Sequence, residues 1–246
     1  MTMRPRNRLA LWLGLGCWWS TAALAQWNPQ MTADLGRGMG QIALSQSILS
    51  GTRRLGEDAT SANSASAPSS ATRPTLTYIP DPRVSEQTRQ AMVDALSRQN
   101  PNLREQMSAA LSGGVVLRVF DRFMGAHGFS SHNVADDMAM QLLVSWEIVT
   151  GGVASPGQIR GAANQVHGVF LSTPRLRAMT NVERQQLAES IAYQVVIGSA
   201  ANSQFRRAND AAQLAQLRQT AESILRQRGI DLSRLQLTER GFVKPS

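Results

Sequence analysis

The chain has 246 residues, 42% of them hydrophobic and 17% charged, with a formal net charge of +8, a composition that supports a folded core and excludes a highly charged disordered chain. Its one cysteine, Cys17, and its one lysine, Lys244, exclude a disulfide-stapled scaffold, a cysteine-clustered zinc site, a Ser-x-x-Lys nucleophile and a phosphate loop of the Gly-Lys-Ser/Thr type.

Arg4, Arg6 and Arg8 precede an apolar run from Leu9 to Leu24, and Ala23-Leu24-Ala25 ends it with small residues at the positions a signal peptidase needs. Residues 1–25 therefore read as a cleaved secretory signal peptide, since the run is shorter than the roughly 20 residues a membrane-spanning helix requires. Cys17 follows Gly14-Leu15-Gly16 rather than a lipoprotein-type sequence, so it leaves with the leader and the mature chain is cysteine-free. Losing three arginines lowers the net charge from +8 to +5. The remaining surplus is C-terminal, where 8 basic residues face 4 acids from Gln204 to Ser246.

Residues 26–55 carry weak helical spacing in Met31, Leu35, Met39, Ile42 and Leu49, interrupted by Gly36, Gly38 and Gly40. Each glycine costs about 1 kcal/mol relative to alanine in a helix, so this N-terminal segment is at best a marginal helix alone. Residues 56–75 contain no apolar side chain larger than alanine and read as a disordered linker. The helical domain is expected over residues 76–246, opening on a short extended stretch from Leu76 to Ile79.

Helix signals then recur in order. Asp81-Pro82 or Ser85 starts one helix and Asn100-Pro101 another, each with an apolar face on one side only. Gly113-Gly114 opens a segment whose stripe is Val116, Val119, Phe120 and Phe123, closed by Gly125 or Gly128. The stretch from Ser131 to Gly151 reads as a helix buried on nearly all sides. Val134, Met138, Leu142 and Trp146 lie on a broad apolar face, while Met140, Val144 and Ile148 line much of the other. Asn133 is its N-cap, Asp136 is placed to reach back to that cap, and Gly151-Gly152 ends it.

Ser155-Pro156 caps the next helix, which runs to Thr173-Pro174, and Thr180-Asn181-Val182-Glu183 is a capping box opening a helix that continues past Val195. Ala211, Leu214, Leu217, Ala221, Ile224 and Leu225 mark a last helix ending at Gly229. A tail from Asp231 to Phe242 offers Leu232, Leu235, Leu237 and Phe242 to seal the core. No convincing strand pair, tandem repeat or heptad run is visible. The fold class is all-α, one multi-helix domain around a buried central helix.

Three groups of residues carry a resemblance. Asn133-Val134-Ala135-Asp136 with Trp146 and Gly151, Glu183-Arg184-Gln185 leading to Leu187-Ala188-Glu189, and Leu237-Thr238-Glu239-Arg240-Gly241-Phe242 together resemble an uncharacterised family of secreted bacterial proteins with a helical domain of unknown function. The resemblance covers Tyr78 to Phe242 and departs from the family at Met140-Gln141-Leu142, where an aromatic residue is expected. It implies a secreted helical domain and assigns no catalytic residue.

Candidate chemistry rests on the residues themselves. His127, His132 and His167 lack zinc-site spacing and read as loop or helix-end histidines, so no metal or cofactor is expected. Asp136 and Asp137 sit in a first helical turn, where the macrodipole favours carboxylates. Asp136 and Glu147 point along nearly the same direction but lie 11 residues apart, about 16 Å along a helix. Paired glycosidase carboxylates need about 5–9.5 Å. A partner from another helix, such as Asp121 or Glu189, would be required. Glu147, in a mostly apolar stretch, is the carboxylate expected in an unusual environment, with a buried salt bridge to an arginine as the common explanation. The arginines at 206, 207, 218, 226, 228, 234 and 240 are not interleaved with aromatics, which speaks against nucleic acid and for a solvated helix face.

These readings converge on a periplasmic or secreted domain acting by binding or assembly in the cell envelope, with an envelope protein or an anionic wall polymer as partner and no nucleic acid. The alternative is a wall-directed hydrolase drawing carboxylates from separate helices. Structural self-association would predict an exposed apolar patch near Met31 to Leu49.

Overall fold

The structure, a computed structural model, describes residues 76–98, 101–227 and 230–245. The expected leader, N-terminal segment, linker and Met31–Leu49 patch lie outside the described residues. Among the described residues are eight α-helices and one small hairpin. The helices are α1 (Pro82–Ser97), α2 (Arg104–Ala110), α3 (Val115–Ala126), α4 (Val134–Thr150), α5 (Pro156–Ser172), α6 (Pro174–Arg177), α7 (Asn181–Arg207) and α8 (Ala211–Gln227).

Three helix starts read from the sequence form as expected, whereas α2 begins at Arg104 without a side-chain cap and Asn100 lies outside the described residues. Asp81 accepts from the Arg83 N–H at the start of α1, and Ser155 with Gln158, like Thr180 with Glu183, makes a reciprocal capping box. Gly113 and Gly114 both adopt left-handed backbone before α3, the conformation that costs glycine no Cβ clash.

The central helix is α4, packed against α7, α5 and α8. Its first eleven residues, Val134 to Val144, are all buried, including Asp136, Asp137 and Gln141. Around it Phe120, Met124, Val166, Phe170, Leu187, Ile191, Leu217 and Leu225 complete the main core. A second cluster joins α1, α2 and α7 through Met92, Leu96, Met107, Leu111, Tyr193 and Ile197. The last third of α4 departs from the expected burial. Ser145, Trp146 and Glu147 are only half-buried and Thr150 is exposed. Trp146 packs beside its own helix end, so close that a Cβ at Gly152 would lie 2.7 Å from the indole ring.

The tail corrects the expectation of no strand pair. Gln236–Thr238 (β1) and Gly241–Val243 (β2) form an antiparallel hairpin with Leu237 opposite Phe242. Three-residue strands are too short to show an alternating pattern, and the hairpin is held largely by what it rests on. Gln165 on α5 accepts from the Phe242 N–H at 2.8 Å and donates to the Phe242 carbonyl at 3.0 Å. Gln158 donates to the Leu237 carbonyl at 2.8 Å. Gly161 permits the docking, since a Cβ there would lie 2.2 Å from the Glu239 carbonyl oxygen. At the other end of the domain the extended stretch before α1 also forms. The Tyr78 N–H donates to the His132 carbonyl and the Val134 N–H to the Leu76 carbonyl, pinning that stretch to the loop preceding α4.

Candidate functional site

The two ends of α4 gather most of the unusual polar groups. At the N-terminal end Asn133 caps as expected, accepting from the Ala135 N–H at 3.1 Å. Asp136 does not reach back to that cap. Its Oδ2 accepts from the Ser130 N–H at 3.1 Å, and its Oδ1 lies 2.6 Å from His167 Nε2. His167 is therefore a mid-helix residue of α5 joining two helices, which corrects its reading as a loop or helix-end histidine.

Asp137 is more unusual still. It has no solvent exposure, and neither carboxylate oxygen has a hydrogen-bond partner. Burial, reinforced by the neighbouring Asp136, raises its pKa well above the ordinary value of 3.8 and favours the protonated side chain. Placement in the first helical turn does not account for this, because the macrodipole favours the charged form. Glu189 on α7 lies near the same end. Its Oε1 accepts from Ser85 Oγ at 2.7 Å and Gln185 Nε2 at 2.8 Å, while Oε2 is buried without a partner. Burial raises its pKa too.

Tyr78 covers this corner. Its hydroxyl donates to the Ser131 carbonyl at 3.0 Å, and its pKa is raised by burial and by Asp137, Glu189 and Asp121. His132 packs edge-on against the Tyr78 ring, and Asp121 accepts from Ser131 Oγ at 2.7 Å. Tyr78, Asp137 and Glu189 are buried in this corner, while Asp121 and His132 face solvent.

The C-terminal end is open. A cavity of about 240 Å³ lies between α3, α4, α5 and α7. Phe123, Met140, Leu143, Val144 and Ile159 make its apolar floor, and His127, Glu147, Ser199, Asn202 and Ser203 supply the polar groups. Ser199, Asn202 and Ser203 come from one face of α7, since residues three and four apart on a helix are neighbours. Glu147 Oε1 accepts from the Ala154 N–H at 3.2 Å. Burial raises its pKa, against the opposing effects of that hydrogen bond, His127 and Arg206. No arginine pairs with it within 4.0 Å among the described residues, so the expected buried salt bridge is replaced by a backbone hydrogen bond and by access to the cavity. His127 Nδ1 lies 2.8 Å from the Phe123 carbonyl; a carbonyl only accepts, so Nδ1 carries the proton.

Beside the cavity α4 ends at Gly151, with φ of 75°. The tips of Arg206 from α7 and Arg218 from α8 approach the same point, lying 3.4 and 3.7 Å from where a Gly151 Cβ would be. Arg206 Nε donates to Asn202 Oδ1, on the cavity wall, at 3.4 Å. Other members of the basic region are neutralised locally: Arg226 pairs with Glu222 and Arg234 with Asp231.

Of the sequence candidates, only Glu147 and His127 line the cavity. Asp136, Asp121 and Glu189 lie among other partners, so the cavity brings Glu147 no second carboxylate. The three histidines occupy three different places, and among the described residues no three or more His, Cys, Asp or Glu side chains form a group that could hold a metal ion. Sequence reasoning missed the convergence of Arg206 and Arg218, which depends on how α7 and α8 pack. It also missed Ser199-x-x-Asn202-Ser203, although this small polar stripe at helical spacing was a usable signal.

Residues 25–244 match the model of a family of unknown function (DUF6683), and the chain belongs to that family. No curated protein and no solved structure matches it.

Proposed function

We propose that this member of a family of unknown function is exported by its N-terminal leader and works in the cell envelope by binding, with the cavity at the C-terminal end of α4 as its ligand site. Export is supported by the arginine-flanked apolar run and the Ala23-Leu24-Ala25 cleavage signal, and by a family match that begins at residue 25, one residue before the expected mature N-terminus. No described helix is long and apolar enough to cross a membrane.

The observation that carries the binding reading is the make-up of the cavity: an apolar floor, a rim of small polar side chains and Glu147 as its one carboxylate. An apolar pocket with a few placed polar groups suits ligand recognition. A wall-directed hydrolase needs two carboxylates flanking one bond, and Asp121 and Glu189 are engaged elsewhere. At about 240 Å³ the cavity is smaller than the roughly 300–1,000 Å³ of drug-sized sites, so it accepts a short apolar group.

The test is a titration of the full chain with 1-hexanol, followed by methyl NMR. Saturable shifts at Met140, Leu143 and Val144, abolished when Ser199→Leu fills the cavity, are expected. Shifts that do not saturate, or that survive in the filled variant, would reject the cavity as a site. For export, mass spectrometry of the processed protein should find Gln26 at its N-terminus; an intact leader or a lipidated Cys17 would overturn that part.

A further inference from the structure

Arg206 and Arg218 stand apart from the other arginines of the basic region. They come from different helices, both are exposed, and their guanidinium tips approach one point beside Gly151. No carboxylate lies within ion-pair distance of either among the described residues. The C-terminus of α4 lies beside them, but a helix end carries only about half a negative charge. Two full positive charges are left under-compensated. Arg206 does act on Glu147 through space, but burial of Glu147 works against its charge.

The pair is also continuous with the cavity. Asn202 lines the cavity and accepts from Arg206 Nε, and Gly151 follows directly on the helix that forms the floor. An elongated molecule with its apolar end over Met140 and Leu143 would bring its other end out past Asn202 toward the two guanidinium groups.

We infer that the ligand of this cavity is a phosphate monoester with a short apolar tail, its tail on the floor formed by Met140, Leu143 and Ile159 and its phosphate held by Arg206 and Arg218. The inference rests on the binding reading of the same cavity and adds the head group. One arginine fork satisfies a carboxylate, whereas a phosphate offers three oxygens and up to two charges and so uses two converging forks. Burial disfavours the charged form of Glu147, which weakens its repulsion of such a ligand.

The test is calorimetric titration of the full chain with hexyl phosphate, 1-hexanol, inorganic phosphate and hexanoate. Hexyl phosphate should bind about five- to tenfold more tightly than 1-hexanol, the scale of two solvent-exposed charge contacts. The gain should shrink as salt rises, because such contacts are screened over about 8 Å at physiological ionic strength. The double substitution Arg206→Gln with Arg218→Gln should remove the gain while leaving 1-hexanol binding at the wild-type level, and Arg226→Gln should leave both unchanged.

Equal affinities for hexyl phosphate and 1-hexanol, or a gain that survives in the double variant, would overturn the phosphate assignment while leaving the cavity reading intact. Hexanoate binding as tightly as hexyl phosphate would also overturn it, in favour of a carboxylate head. Tight binding of inorganic phosphate alone would show that the tail contributes nothing and sink the inference from the other side. Loss of 1-hexanol binding to the wild type would remove the cavity reading itself.

Discussion

The two ends of α4 treat buried carboxylates in opposite ways. At the N-terminal end Asp137 is sealed from water with both oxygens unpartnered, under Tyr78 and the stretch that precedes α1. At the C-terminal end Glu147 is half-buried, accepts one backbone hydrogen bond and faces a cavity, with two arginines beyond it. The chemistry is the same and the access differs. A carboxylic acid with no route to solvent or ligand can influence only the stability of the fold, whereas one on a cavity wall can also act on what enters.

The largest expected effect tests the difference in packing. Met138 lies in the sealed half and is fully buried, so Met138→Ala should cost about 2–5 kcal/mol. Trp146 is the larger side chain but is half-buried at the open end. Trp146→Ala should cost about 1.5–2.5 kcal/mol, below the 3–5 kcal/mol typical of a buried aromatic. Urea unfolding of the full-length variants, followed by far-ultraviolet circular dichroism, measures both. A greater loss at Trp146 than at Met138 would reverse the assignment of sealed and open halves.

The second effect is electrostatic. Unfolded Asp137 releases its proton near the ordinary 3.8, while burial makes the folded side chain hold it to higher pH. The unfolded state therefore binds fewer protons in the interval above 3.8, and folding stability falls as pH rises through that interval. Asp137→Asn removes this penalty. The variant should be more stable than the wild type at pH 7, with the difference shrinking toward pH 4. Glu147→Gln should show the same sign and a smaller change, because its carboxyl keeps a hydrogen bond and access to the cavity. Parallel stability curves for wild type and Asp137→Asn from pH 4.5 to 8 would mean that Asp137 is charged and compensated in the fold.

Much of the helical framework was legible in the sequence because it is written in local signals. Ser155-Pro156, the Thr180–Glu183 box and Asn133 each specify a helix start through contacts within a few residues, and the caps form as read. The C-terminal hairpin was not legible, since its stability comes from Gln158, Gln165 and Gly161 on a distant helix. The candidate site was legible only in part. Glu147 stood out as a carboxylate in an apolar stretch, but its partner is a backbone N–H seven residues on, where those surroundings suggested a buried salt bridge to an arginine. Asp136 and Asp137 both read as first-turn acids, with Asp136 alone placed to reach back to the cap. The fold separates them, giving one to His167 and leaving the other without a partner, and adjacency in sequence carries no sign of that division.

The smallest expected effect separates stability from recognition by using the two caps of α4. Asn133→Ala removes a side-chain acceptor from the Ala135 N–H and should cost about 1 kcal/mol, the usual value of an N-cap. Gly151→Ala places a Cβ on a residue with φ of 75°, also at about 1 kcal/mol. By stability alone the two ends of the helix would then look alike. They should part in the binding measurement. The added methyl at Gly151 meets Arg206 at 3.4 Å and Arg218 at 3.7 Å, tight for the first and ordinary contact for the second, so it nudges the pair while leaving the apolar floor in place. Gly151→Ala should therefore weaken hexyl phosphate by about two- to threefold, the effect of partly disturbing exposed charge contacts, with 1-hexanol unaffected. Asn133→Ala, at the sealed end, should leave both ligands at wild-type affinity. Equal weakening by the two cap variants would mean that binding follows overall stability, and the distinction between the two ends of α4 would lose its functional content.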